Sequence, residues 1–379
     1  MKDEAASIRD PLYGYIRVDP LLRELLDTPA LQRLRRIRQL GFAHLVYPGA
    51  NHTRFEHALG ASHLASLFPL GRREHLREEF RVAALLHDAG HGPYSHASEG
   101  VFLRWTGRSH EEVPPGPGVE EALEARGLSP GAVRSHLRGR TPLGRALSSE
   151  LDVDRMDYLV RDAYYTGVSF GRADVARLLG EMGWEGPRLY VRESGLRAAE
   201  SLLVARLLMY PTVYLHHVCR IAEAMFCAGL EALLEAGADP EALRRMDDGE
   251  ARAALRRAGG VAAEMAERLD GRRLYKRALW LPRAGLPARL PAPARLRREV
   301  AEEAGVEESR VLVDLPAPEP PLGAFLVKVG TSLRSLRRAS PVAAALDRAH
   351  REAARAGVYA PPEARERVAR AARRVLAAR

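Results

Sequence analysis

The 379-residue sequence has few of the residues that mark a secreted or membrane protein. Cysteine occurs only twice, as Cys219 and Cys227, which excludes a disulfide framework and favours a reducing, cytoplasmic location. No apolar run reaches the roughly 18 residues of a membrane span, and the polar N-terminus lacks a signal-peptide core. With 46% hydrophobic and 28% charged residues, the composition predicts a globular protein that does not contact a membrane.

Lysine is also scarce. Only three of the 58 basic residues are lysine, so almost all of the positive charge behind the net +9 is carried by arginine. Arginine favours bidentate contacts with phosphate groups. A nucleotide, a nucleic acid or an anionic lipid would each suit this charge, and charge alone does not choose among them.

Helical periodicity dominates the chain and predicts a mostly α fold. The helical segments are expected at 21–40 (broken at Thr28-Pro29), 54–70, 79–89 (stopped by Gly90), 150–165 and 196–235 (kinked at Pro211). Two short strands, in VLVDLP and AFLVKV, follow a proline-rich connector at 281–296. The predicted organisation is a helical domain at 1–235, a helical extension at 236–284, and a small α+β appendage with a basic C-terminal helix at 285–379.

Histidine and aspartate cluster in the first half of the chain. Nine of the 13 histidines fall between His44 and His110. Imidazole nitrogens and carboxylate oxygens suit Mn, Mg, Fe, Ni or Zn. The adjacent His87 and Asp88 end an apolar helix, where a carboxylate is costly unless it is paired, solvated or metal-bound. A lone His-Asp dipeptide is more often a satisfied helix end, so the pattern alone leaves both interpretations open.

Longer stretches carry a more specific signal. They are DTPALQRLRRIRQLG, YPGANHTRFEHALG, LLHDAGHGPYSH, ELDVDRMDYLVRDAYYTGVSFG and ARLLMYPTVYLHH. In this order the stretches resemble the HD-domain phosphohydrolases, in particular their deoxynucleoside triphosphate triphosphohydrolase branch. The resemblance implies a helical HD-domain bundle around a metal site, with a divalent metal held by His57, His87, Asp88 and Asp154.

The implied reaction is hydrolysis of a deoxynucleoside triphosphate (dNTP) to a deoxynucleoside and inorganic triphosphate. In this reaction a metal-activated water attacks the α-phosphorus, and a histidine protonates the 5′-oxygen. His96 is the implied acid, and Glu99, three residues further on, is expected to orient the His96 ring. His91 and His110 match residues that hold phosphate oxygens.

The resemblance also implies a substrate-binding set and a regulatory set. The first consists of Gln39, Leu40, Arg54, Arg155, Tyr158, Asp162, Arg206, Tyr210 and Tyr214. The second, which matches a regulatory nucleotide site of some relatives, consists of Asp27, Gln32 and Arg35. Such regulation normally works through subunit contacts, so a homo-oligomer is expected.

Two other aspartates lie beside Asp154. Helical geometry turns Asp152 about 160° away from Asp154, so Asp152 is predicted to be a helix-start carboxylate. Asp157 remains a neighbouring competitor.

Two alternative functions stay open. One is an HD phosphohydrolase that acts on another nucleotide, as a phosphodiesterase or guanosine polyphosphate hydrolase. The other is an HD protein that binds nucleic acid through its arginine-rich surface.

Overall fold

The structure is a computed structural model that describes residues 6–282, 290–315, 322–353 and 355–377. Part of the predicted proline-rich connector lies outside these ranges. The helices of the first half are α1 Pro20–Leu26, α2 Pro29–Leu34, α3 Arg54–Leu67, α4 Arg77–Leu86, α5 His96–Thr106, α6 Val119–Glu124, α7 Pro130–Leu137, α8 Pro142–Leu147, α9 Val153–Thr166 and α10 Val175–Gly180. Those of the second half are α11 Leu196–Met209, α12 His217–Glu235, α13 Pro240–Arg244, α14 Asp248–Ala258, α15 Gly260–Asp270, α16 Pro293–Ala304, α17 Leu336–Ala339, α18 Pro341–Ala353 and α19 Arg365–Ala377. The predicted mostly α fold is confirmed.

Helix ends follow the capping chemistry in the sequence. Asp27 ends α1, and Thr28 caps α2 with Pro29 in its first turn, so the predicted break is confirmed. The helix before Gly90 ends earlier than predicted, at Leu86. The chain tightens there into short turns, in which the amides of Ala89 and His91 bond to carbonyls three residues back.

The predicted kink at Pro211 is a complete break in the helix. A π-helical turn, Tyr210–Tyr214, separates α11 from α12, and the amide of Leu215 bonds to the carbonyl of Tyr210 over 2.7 Å. Proline has no amide hydrogen to continue an α-helix. In the described part of the chain no single helix is long and apolar enough to cross a membrane. Among the described residues, the segments Glu193–Tyr214 and His217–Glu235, bent by 60° relative to each other, are long and apolar enough only when the two are taken together.

Three small sheets accompany the helices. The strands are β1 Ala6–Asp10, β2 Gly14–Val18, β3 Met182–Glu185, β4 Arg188–Arg192, β5 Lys276–Pro282, β6 Leu312–Asp314, β7 Leu326–Val329, β8 Ser332–Ser335 and β9 Arg355–Ala360. The spatial orders are β1-β2, β3-β4-β7-β8 and β5-β9-β6. The predicted strands β6 and β7 are confirmed, whereas the other seven of this description were not predicted.

The sheets connect distant parts of the chain. Strand β7 pairs in parallel with β4, and β9 pairs antiparallel with both β5 and β6. The C-terminal residues therefore share sheets with residues 182–192 and 276–282. Short, partly exposed strands of this kind carry little periodicity in the sequence, because their partners lie far away in the chain.

Two large hydrophobic clusters form the body of the protein. One contains the buried faces of α1 to α4, α9 and α11, and the other contains those of α5, α12, α14 and α15. Helix α3 lies between α4 and α9 in the first cluster. The candidate site lies where the first cluster meets α5 and the start of α12.

A buried ion pair joins α12 to the C-terminal sheet. The guanidinium of Arg220 donates to both carboxylate oxygens of Asp314 on β6, over 3.0 and 2.5 Å. The hydroxyl of Tyr359 on β9 donates to the same carboxylate over 3.0 Å. Because Asp314 is only 8% exposed, these contacts replace its lost hydration and hold the sheet against α12.

Replacing Asp314 with alanine should lower the free energy of unfolding by on the order of 3 kcal/mol, because Arg220 would lose the carboxylate that accepts two of its hydrogen bonds and Tyr359 would lose its acceptor. Urea unfolding measures the change. The matched control is Glu303→Ala, which breaks an exposed ion pair with Arg374 and should cost less than about 1 kcal/mol. Equal losses in the two variants would contradict this account of the interface.

Candidate active site

The four predicted metal ligands converge at one point. His57 lies on α3, His87 and Asp88 directly follow α4, and Asp154 lies in the first turn of α9. The Nε2 atom of His57 is 3.2 Å from Nε2 of His87, 3.0 Å from Oδ1 of Asp154 and 3.5 Å from Oδ2 of Asp88. Nitrogen and oxygen donors at this spacing can share one divalent cation, so the cluster is able to hold a metal.

A second layer of side chains fixes the ring of His57. Its Nδ1 atom lies 2.8 Å from Oδ2 of Asp157. Asp157 in turn accepts two hydrogen bonds from Arg161, over 2.8 and 2.9 Å, and one from the hydroxyl of Tyr13 over 2.8 Å. The contact between Nδ1 of His57 and Asp157 sets the tautomer of His57 and points its Nε2 atom at the cluster. Asp157 therefore supports a candidate ligand from behind.

Gly60 makes room for this second layer. A Cβ atom on Gly60 would lie 2.0 Å from Oδ1 of Asp157 and 2.4 Å from Nη2 of Arg161. Glycine at this position of α3 lets α9 approach closely enough for the buried ion pair to form. The other aspartate neighbour, Asp152, caps α9 by accepting from the amide of Arg155 over 2.6 Å, as predicted for a helix-start carboxylate.

The negative carboxylates of the cluster favour positive charge on its histidines. Burial alone would lower the pKa of His57, but the carboxylates of Asp154 and Asp157 raise that pKa to about 10. Burial also opposes the charged form of His87, yet Asp88 and Asp154 raise its pKa. The same contacts outweigh burial at Asp154 and lower the pKa of that carboxyl. The cluster thus holds positive charge between its carboxylates, which is the role that a metal ion would take over.

Three histidines line up beside the cluster. The rings of His91 and His110 stack with centroids 3.7 Å apart, and the ring centroid of His96 lies 4.7 Å from that of His91. The orienting of His96 by Glu99 stays a prediction, since a carboxylate oxygen of Glu99 lies within 4.8 Å of a ring nitrogen of His96. The direct partner of the carboxylate is His110, whose Nδ1 lies 3.1 Å away and whose amide donates to it. The reason is geometric. Glu99 is in the first turn of α5, and the chain after α5 folds back and brings His110 against it.

His96 itself has an exposed side chain at the wall of the cavity. Partial loss of water within the cleft, with added repulsion from Arg54 and His110, lowers the pKa of His96 to about 4. The imidazole is therefore neutral at neutral pH in the free protein.

The turn between Asp88 and His96 has an unusual backbone. Tyr94 and Ser95 have φ angles of 57° and 58°, and residues other than glycine rarely adopt this backbone region. Gly90 is needed for another reason, because a Cβ atom there would lie 2.2 Å from the carbonyl oxygen of His110.

A cavity of about 440 Å³ opens over the four candidate metal ligands, which are called the metal cluster below. Its volume is in the range of sites for small molecules. The wall includes most of the residues proposed for ligand contact, namely Gln39, Leu40, Arg54, His87, Asp88, His96, His110, Asp154, Arg155, Tyr158, Asp162, Tyr210 and Tyr214. Four further predicted residues do not line this cavity. His57, His91 and Arg206 are buried, and Glu99 is half-buried. The guanidinium of Arg206 lies 5.4 Å from the Tyr210 ring centroid.

The carboxylate of Asp162 is held on both sides. The hydroxyl of Tyr214 donates to one oxygen over 2.8 Å, and Nε2 of His52 lies 2.8 Å from the other. Reasoning from the sequence missed His52, although it lies in the matching stretch YPGANHTRFEHALG. Asp162 and Tyr214 therefore enter the cavity as one hydrogen-bonded unit.

Arg54 connects the metal cluster with the cavity. Its Nη1 atom donates to Asp88 over 2.5 Å, and its Nε atom donates to the hydroxyl of Ser95 over 2.8 Å. Its Nη2 atom is buried without a hydrogen-bond partner among the described residues, and so is Nε of Arg155. Buried guanidinium donors of this kind favour an anionic ligand in the cavity.

The unpredicted residues of the cavity wall include one ion pair. Arg220 and Glu223, which form an ion pair over 2.8 Å, lie on the first turns of α12 and line the cavity. Their i, i+3 spacing after YPTVY was readable from the sequence. The contact of Arg220 with Asp314 was not, because it joins residues 94 positions apart.

The residues proposed for regulation lie elsewhere, at the corner between α1 and α2. The side-chain amide of Gln32 donates to the carbonyl of Leu26 over 2.7 Å, and Arg35 donates to Oε1 of Gln32 over 3.1 Å. The Arg35 guanidinium also lies 3.6 Å from the ring centroid of Phe55. Gln32 and Arg35 are thus in contact, and Asp27 is exposed at the end of α1. Their regulatory role stays a prediction.

Comparison with known proteins agrees with this geometry. Residues 54–162 match the HD domain, and residues 173–379 match the HD associated region. An uncharacterised protein of Methanocaldococcus jannaschii is 38% identical over 275 residues, which are 71% of this chain and 58% of that protein. The deoxynucleoside triphosphate triphosphohydrolase SAMHD1 of Homo sapiens is 33% identical in an alignment of 214 residues that covers 44% of this chain and 34% of that enzyme. The crystal structure of a phosphohydrolase from Bacteroides thetaiotaomicron superimposes with a TM-score of 0.73 at 25% identity and covers 94% of this chain and 100% of that one.

The helical fold, the two family matches and the site together define the class of the protein. The chain belongs to the HD-domain phosphohydrolase superfamily, in the branch that resembles the deoxynucleoside triphosphate triphosphohydrolases. It spans 58% and 34% of the lengths of the two curated relatives described above.

Metal binding should release protons, because a divalent ion must displace the proton that His57 holds with a pKa of about 10. At pH 7 we expect at least one proton to be released for each Mn²⁺ bound, and we expect the affinity to rise from pH 6 to pH 8. Titration calorimetry in buffers of different ionisation enthalpy measures both quantities. An affinity that stays constant over this pH range would show that the ion does not displace a proton from His57.

Proposed function

We propose that this protein hydrolyses dNTPs to deoxynucleosides and inorganic triphosphate in a metal-dependent reaction. The observation that carries the proposal is the position of the His57–His87–Asp88–Asp154 cluster under a cavity whose wall includes three arginines, Arg54, Arg155 and Arg220. A metal cluster supplies hydrolytic chemistry, and the arginines favour a phosphate-bearing substrate.

The donor set fits a hard or borderline divalent cation, such as Mn, Mg, Fe, Ni or Zn. His57 and His87 would supply nitrogen ligands, and Asp88 and Asp154 oxygen ligands. When bound, the ion supplies charge neutralisation at the phosphate and an acidified water molecule as nucleophile.

Phosphate oxygens would contact the basic side of the cavity. The buried, unpartnered donors of Arg54 and Arg155 would bind them, together with His110, whose ring stacks on the buried ring of His91. Because Arg54 also contacts Asp88, the same guanidinium would set the position of the phosphate relative to the metal cluster.

His96 is the proposed proton donor to the 5′-oxygen. The sugar alkoxide is a poor leaving group, so its departure requires an acid. The pKa of His96 is about 4 in the free protein. The negative charge of a bound triphosphate would raise this pKa, so the imidazole would gain its proton when the substrate binds.

The remaining wall would recognise the nucleoside. Tyr158, Asp162 and Tyr214 form a polar, aromatic surface, and Gln39 and Leu40 line the cavity beside it. A side chain such as Leu40, packed against C2′, would leave no room for a ribose hydroxyl and would favour deoxynucleotides.

Similarity to SAMHD1 supports the choice of substrate. The name of that enzyme states its activity on deoxynucleoside triphosphates, and the similarity covers 44% of this chain. Regulation by a second nucleotide at Asp27, Gln32 and Arg35, in a homo-oligomer, is part of the same proposal.

The reaction can be tested directly. Purified protein with Mn²⁺ or Mg²⁺ should convert dNTPs to deoxynucleoside and triphosphate, resolved by ion exchange, and Asp154→Ala should reduce the rate at least about a thousandfold because it removes a ligand. NTPs and a short oligonucleotide serve as comparison substrates. Stepwise loss of single phosphates, or oligonucleotide binding without turnover, would refute the proposed function.

Replacing His96 with alanine tests the proton donor. We expect kcat to fall by about 10² to 10³, because the leaving group loses its acid, whereas KM should change less than about threefold. His75→Ala, at an exposed surface position, is the matched control and should retain full activity. A higher KM with an unchanged kcat would assign His96 to binding instead.

A further inference from the structure

A single carboxylate outside the HD domain holds two segments that border the active-site cavity. Asp248, the first residue of α14, is 5% exposed. One of its oxygens accepts from the amide of Arg38 over 3.0 Å, and the other accepts from the amide of Tyr94 over 2.7 Å. These contacts join residues 210 and 154 positions apart. The amide of Asp248 also donates to the carbonyl of Arg36 over 3.3 Å.

Both segments carry residues of the cavity wall. Arg38 immediately precedes Gln39 and Leu40, and Tyr94 precedes Ser95 and His96. The segments also bond to each other, because the hydroxyl of Ser95 donates to the carbonyl of Arg38 over 2.7 Å. Asp248 thus lies behind a junction from which side chains enter the site on two sides.

The junction needs support from outside. Tyr94 and Ser95 both have positive φ angles, and Ser95 makes no side-chain capping bond to α5. Helix α14 supports Tyr94 at both ends, since Asp248 accepts from its amide and Arg252 donates to its hydroxyl over 3.0 Å. The ring of Tyr94 stacks on Phe42 with centroids 4.2 Å apart. A strained backbone conformation persists only where neighbouring groups hold it in place, and here the contacts of α14 with Tyr94 do so.

We propose that Asp248 is a positioning residue of the active site, which fixes the 38–40 and 94–96 segments so that Leu40 and His96 face the bound substrate. This inference rests on the proposed function for its substrate, but it does not depend on that function for its geometry.

Burial opposes the ionised form of this carboxylate. Burial raises the pKa of Asp248 to about 6, although the amides of Arg38 and Tyr94 and the Arg38 charge act in the opposite direction and Asp247 adds to the rise. A raised pKa means that the fold disfavours the ionised form, so Asp248 contributes less to stability at pH 7 than at pH 5. Its two backbone contacts serve the junction despite this cost.

The test is Asp248→Asn, which keeps the size of the side chain but turns an amide group toward one of the two backbone amides. We expect kcat for dNTP hydrolysis to fall about tenfold to a hundredfold, as misplaced catalytic groups do, with no change in bound metal per chain. Hydrogen exchange should become faster in peptides that cover residues 36–41 and 92–98 and stay unchanged in α3 and α9. Asp248→Ser, with the same expectations, replaces the asparagine variant if that variant does not fold.

The matched control is Asp247→Asn, which retains the cap of α14 and loses only an ion pair with the largely exposed Arg36. It should keep kcat within about twofold of the wild type. A kcat of Asp248→Asn within twofold of the wild type, or faster exchange throughout the chain, would overturn the proposal. If the wild type does not hydrolyse dNTPs, the proposed function fails, and the local exchange pattern alone then decides the role of Asp248.

Discussion

The approach of two aspartates to two histidines in a largely buried position is the constraint on which the rest of the structure depends. Nε2 of His57 lies within 3.5 Å of a donor atom of each of His87, Asp88 and Asp154. Such a cluster is stable only if positive charge compensates its carboxylates. Protonated His57 supplies positive charge in the free protein, and a divalent ion would supply it in the active one. The Asp157–Arg161 pair behind His57 extends the compensation into the core, and Gly60 exists as glycine because that pair needs its space.

Features that depend on neighbouring residues could be predicted from the sequence. The cap at Thr28, the interruption at Pro211 and the helix-start role of Asp152 all follow from chemistry within one helical turn, and the structure confirms them. The four candidate ligands came from spaced motifs rather than from any local rule. Their convergence depends on how α3, α4 and α9 pack, and a spacing in the chain does not encode that packing by itself.

Features that depend on distant partners were missed. The pairing of Glu99 with His96 followed from their positions on one helix, whereas the contact of Glu99 with His110 arises because the chain returns after α5. Asp248 is an ordinary residue at the start of a helix in the sequence, and only the fold places it against Tyr94. Strands β4, β5 and β9 escaped prediction for the same reason, since each is short and pairs with a strand far along the chain.

The two matched regions divide the site between them. All four candidate ligands lie within the HD domain at 54–162, whereas Tyr210, Tyr214 and Arg220 lie within the associated region at 173–379. The ion pair of Arg220 with Asp314 makes the far C-terminal sheet part of the support for this wall. Substitutions in the associated region can therefore reshape this wall of the cavity without changing the four candidate ligands. Relatives that share the cluster need not share a substrate, and the identity of the wall residues is what should be compared when a substrate is assigned.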